Sequence, residues 1–84
     1  MERYLVISPH TAGECKQALI DVMETGYITH FDWGCADGDH TGWVVIEAES
    51  PKQAMMVVPV RHREKARVVR LMKIGPEDVA KMHS

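Results

Sequence analysis

An α+β fold, with four antiparallel strands and two helices in the order strand, helix, strand, strand, helix, strand, is what this sequence predicts. Three observations carry that expectation: β-branched runs near both ends of the chain, a tight-turn dipeptide between two further strand-like runs, and two helix-start signatures, each placed after a strand. At 84 residues, 45% of them hydrophobic and 26% charged, the chain has a folded domain's composition and room for one domain, residues 1–84.

Arg3 to Ser8 is β-branched and aromatic, and Pro9 ends it, so it reads as the first strand. Thr11 to Glu14 follows the pattern in which a Thr hydroxyl and a Glu carboxylate satisfy free backbone N–H groups at a helix start. The helix carries Cys15, Ala18, Leu19, Val22 and Met23 on one apolar stripe until Gly26 stops it. On that stripe Cys15 reads as packing. Tyr27 to Trp33 and Thr41 to Glu49 form two strands around the Asp37-Gly38 turn. Ser50, Pro51 and Gln53 open a short second helix that closes near Val57, ahead of Pro59. Ala66 to Ile74 is the last strand, and Gly75 to Val79 a terminal helical turn.

Lys and Arg number 10 against 12 Asp and Glu, a balance that gives no general attraction to nucleic acid or acidic membranes. Six of the basic residues fall between Arg61 and Lys73, where they keep the last strand, an edge, from pairing with other chains. The apolar run Tyr4 to Ile7 is too short, and with Glu2 and Arg3 before it wrongly flanked, for a signal peptide; the expected location is cytoplasmic, with Cys15 and Cys35 as thiols. No Gly-rich phosphate loop, C-x-x-C, H-E-x-x-H or Gly-x-Ser-x-Gly occurs, which removes the chemistry those motifs carry.

The order of elements is that of the split βαβ, or ferredoxin-like, arrangement, with strand order 4-1-3-2 and both helices on one face. By this architecture the whole chain resembles the dimeric α+β barrels, which include muconolactone isomerases and cofactor-free antibiotic-biosynthesis monooxygenases. The resemblance implies a homodimer joined sheet to sheet. No catalytic signature of either family stands in these residues, so none of their site residues carries over.

A hairpin closing symmetrically about Asp37 and Gly38 sets Cys35 opposite His40, Phe31 opposite Val44 and His30 opposite Val45. One face then holds Phe31, Trp33, Val44, Ile46 and Ala48, suited to a helix-covered core. The other holds Ile28, His30, Asp32, Thr41, Trp43, Val45 and Glu47, too apolar to stay wet, so a second copy is expected against it.

Five histidines are the most unusual feature of the composition. Cys35 and His40, opposed across the hairpin, with His10 and His62 brought to the same rim, are candidate ligands for zinc or another transition metal. The same residues also read as a buried thiol, a solvated turn and surface histidines. On the open face, His30 as base and Asp32 as its orienting carboxylate, with Trp43, Glu47 and Tyr4 as ligand contacts, form a second candidate site. The leading expectation is a homodimeric accessory protein that binds a metal ion or a small molecule. A cofactor-free proton-transfer enzyme and a structural interaction domain are the alternatives.

Overall fold

Within Glu2–Pro9 every second residue from Tyr4 on is buried (Tyr4, Val6 and Ser8), which makes this stretch, β1, a strand with one covered face. The remaining elements of the computed structural model, which describes residues 1–82, are α1 (Cys15–Glu24), β2 (Asp32–Trp33), β3 (Thr41–Ala48), α2 (Pro51–Met55), β4 (Arg67–Leu71) and α3 (Pro76–Lys81). Single 3-10 turns cover Ala12–Glu14, Cys35–Asp37 and Val60–His62.

The four strands form one antiparallel sheet in the order β2-β3-β1-β4. Val22 of α1 and Ala54 of α2, with Val57 and Val58 behind it, meet Tyr4, Val6, Phe31, Val44 and Ala48 in a single buried cluster. The helices are therefore on the same side of the sheet. The Thr11–Glu14 capping box is present, and the Ser50 hydroxyl accepts from the Gln53 N–H with Pro51 at the first helical position.

Two expectations need correction. The stretch from Tyr27 is not a strand up to Asp32: the Tyr27 carbonyl accepts from the His30 N–H at 2.9 Å, closing a turn that takes the segment's backbone groups out of the sheet. Only Asp32 and Trp33 pair with β3, opposite Trp43 and Gly42. Tyr4, expected on the open face, is only 2% exposed beneath the helices, because it shares a face with Val6 and Ser8. Ile28, placed on that face with it, also packs against the core.

The face away from the helices carries Arg3, Leu5 and Ile7 of β1 with their direct partners Glu47, Val45 and Trp43 of β3 and Leu71, Val69 and Arg67 of β4. On it Val45 is 53% exposed, and Leu5, Ile7, Trp43, Val69 and Leu71 are half-buried. No helix among the described residues is long and apolar enough to cross a membrane.

Candidate metal centre

β1 runs out at Pro9 and delivers His10, whose backbone N–H donates to the His40 carbonyl at 2.8 Å. The next residue caps the coming helix: Thr11 Oγ1 accepts from the Glu14 N–H at 3.2 Å and Glu14 Oε1 from the Thr11 N–H at 2.9 Å. This box bends the chain back so that Cys15 opens α1 beside His10. Across from them, the β2–β3 connection is wound around the Gly34 carbonyl, which accepts from Asp37 and Asp39. Gly38 closes it with a left-handed φ of 80° that glycine adopts without strain, its N–H donating to the Cys35 carbonyl at 3.0 Å. Thr41 Oγ1 donates to Asp39 Oδ1 at 2.7 Å and fixes the far side. Cys35 and His40 are thus held by a hydrogen-bonded loop.

The two segments bring four donors together. One ligand atom from each of His10, Cys15, Cys35 and His40 lies within 4.8 Å of all the others. The Cys15 and Cys35 sulfurs are 3.7 Å apart, and Cys35 Sγ is 3.6 Å from His10 Nε2. A tetrahedral zinc with Zn–S of ~2.3 Å and Zn–N of ~2.0–2.1 Å has edges of roughly 3.8 Å between sulfurs and roughly 3.6 Å from sulfur to nitrogen. The observed separations match those edges, whereas a disulfide needs ~2.05 Å. Both cysteines are free thiols.

Burial moves the His10 ring below the usual imidazole range, and His40 and His62 add to the effect, which favours the neutral form, the one with a lone pair to donate. Burial first, and then the neighbouring Cys15 sulfur, pushes the Cys35 thiol up. Metal binding must therefore displace protons from sulfur, and two thiolates would then neutralise a divalent ion. His40 Nδ1 is buried with no hydrogen-bond partner among the described residues, an unmet polar atom at the edge of the cluster. The His10 and His40 ring centres are 5.4 Å apart, and Trp33 stands 6.2 Å from His10 as an apolar wall. Trp33 stacks on Phe31 at 5.3 Å and reaches that position over Gly42, where a Cβ would lie 2.6 Å from the indole.

Of the predicted ligands, His10, Cys35 and His40 converge and His62 does not. His62 Nε2 is 2.8 Å from Asp21 Oδ2 on α1, and Arg61 reaches the same oxygen at 3.7 Å. Its place in the cluster belongs to Cys15, which the helical stripe presented as packing. A signal for it was present in the sequence: His10 and Cys15 have four residues between them, as do Cys35 and His40, an H-x4-C and C-x4-H pair in mirror order. The second candidate site is not assembled. His30 stands exposed in the turn with its ring 5.3 Å from Tyr27, and no hydrogen bond joins it to Asp32 among the described residues. Asp32, Trp43 and Glu47 lie on the open sheet face, while Tyr4 is on the other.

Comparison of the chain with protein-family models, curated proteins and solved structures finds no match.

Proposed function

We propose that this chain is a zinc-binding protein whose ion is held by His10, Cys15, Cys35 and His40. The observation that carries the reading is the close approach of four donors, all within 4.8 Å of one another, two of whose separations, 3.7 Å between sulfurs and 3.6 Å from sulfur to nitrogen, equal edges of a zinc tetrahedron. Two sulfurs and two imidazoles favour a borderline-soft ion over magnesium or calcium, which take oxygen ligands. With four protein donors the coordination sphere is full, which is the pattern of structural zinc and not of hydrolytic zinc, where one position stays open to water.

The ion's role follows from where its ligands sit. It ties the β1–α1 connection to the β2–β3 loop, two segments that otherwise meet at this end of the sheet through the His10–His40 backbone bond and side-chain packing. A domain of this size buries a small core, and a metal is one of the few devices that make up the difference. The order of the strands and the shared helix face support a ferredoxin-like reading of the scaffold.

Elemental analysis of untagged protein tests the assignment, together with competition against a chromophoric chelator. The expected result is about one zinc per chain, with affinity falling by at least ~100-fold in Cys15→Ser and in Cys35→Ser. No retained zinc and no measurable affinity, or undiminished binding in both variants, overturns it.

A further inference from the structure

The sheet face left bare by the helices has a charge pattern that complements itself. Across the end nearer the metal centre the direct neighbours run Asp32, Trp43, Ile7, Arg67 from β2 to β4; across the middle Val45, Leu5, Val69; across the far end Glu47, Arg3, Leu71. Acidic side chains thus occupy β2 and β3, basic ones β1 and β4, and six apolar side chains fill the space between.

We infer that this face is the interface of a homodimer, with a two-fold axis in its plane and parallel to the strands. That operation exchanges β2 with β4 and β3 with β1 while keeping each row opposite itself. Asp32 of one copy then meets Arg67 of the other, Glu47 meets Arg3, Trp43 meets Ile7 and Val45 meets Leu5. A two-fold axis across the strands would instead set Arg67 on Leu71 and Arg3 on Ile7, burying charge against hydrocarbon. The charge pattern therefore selects one packing, and the small angle of aligned sheet packing leaves the matched rows in register near the axis.

The area of the face also bears on the dimer. Strands of two, eight, eight and five residues set ~4.8 Å apart cover roughly 360 Å² per copy, so about 730 Å² in all, well short of the ~1,200–2,000 Å² of a stable interface. The chain carries what is missing. Beyond β4, residues 72–82 project from the body, with Met72, Ile74, Val79 and Met82 each more than half exposed. The radius of gyration is 15.1 Å, where a compact chain of this length has ~12 Å. The projecting arm leaves β4 after Leu71, at the far end, along the edge that the two-fold sets beside the other copy's β3 where that strand has no β2 partner, since β2 pairs only at Asp32 and Trp33 nearer the metal centre. Its apolar side chains find cover there.

Sedimentation of the zinc-loaded full chain tests this. The parent is expected at twice the 9.5 kDa chain mass at micromolar concentration. Asp32→Lys and Arg67→Glu should each weaken the dimer about tenfold or more, and the double variant should return to within about threefold of the parent. Val45→Glu, a change at a position already exposed in the single copy, should leave a folded, zinc-loaded monomer. A monomeric parent at 100-fold higher concentration overturns the proposal, as does a Val45→Glu dimer of undiminished affinity. A double variant no tighter than the single ones rules out the two-fold parallel to the strands.

Discussion

Zinc should raise the thermal midpoint of the metal-free protein by roughly 10–20 °C, and the size of that shift follows from the positions of the ligands. Cys15 and Cys35 are 20 positions apart, and tying off a loop of that length removes chain entropy worth on the order of 3 kcal/mol from the unfolded state. Mass action gives a similar figure: free zinc at 100 times its dissociation constant stabilises the folded chain by about 2.7 kcal/mol. In a domain of 60–100 residues each kcal/mol moves the midpoint by about 4–8 °C. Differential scanning calorimetry of chelator-treated protein, with and without zinc at one protein concentration, reads the shift. Cys35→Ser keeps the outline of the side chain and removes the thiolate, so its midpoint should barely respond. A parent shift under about 3 °C, or an equal shift in Cys35→Ser, would refute the clasp.

Gly42→Ala should cost about 1–3 kcal/mol and displace the indole that walls His10, since its Cβ would fall 2.6 Å from the Trp33 ring; urea unfolding followed by tryptophan fluorescence reads both effects, and a parent-like midpoint with an unchanged spectrum contradicts the close approach. The Asp21 carboxyl is held below the usual carboxylate range by the Gln17 amide first and His62 second. A carboxylate whose folded pKa is depressed stabilises above its unfolded value of ~3.9, and the effect is lost as pH falls through the folded pKa. Asp21→Asn, compared metal-free, should therefore show a urea-midpoint deficit at pH 7 that closes below about pH 4; a deficit unchanged at pH 3 would argue against a charge-based role.

Local chemistry was legible in the residues, and long-range partnership was not. The Thr11–Glu14 and Ser50–Gln53 caps act over three residues and form as their spacing implies. The hairpin arithmetic about Asp37 and Gly38 also places Asp32 opposite Trp43, as observed. Tyr27 to His30 has strand-like side chains, yet its backbone closes a turn behind α1, a choice made by the fold's return path and not by propensity. Tyr4 could be assigned to a face only once the β1–β3 register was known, because a shift of one residue exchanges faces. His62 looked like a ligand until Asp21, 41 positions away, was found against it. Cys15 was hidden by its own helix: a buried thiol on an apolar stripe packs like any small hydrophobe, and periodicity cannot separate that from ligation.

X-ray absorption at the zinc edge, on protein loaded with one equivalent, tests the metal assignment most directly. Four neighbours are expected, two sulfurs at ~2.3 Å and two nitrogens at ~2.0–2.1 Å, with the outer-shell signature of imidazole. A first shell of nitrogen and oxygen alone, or one with a single sulfur, would contradict it.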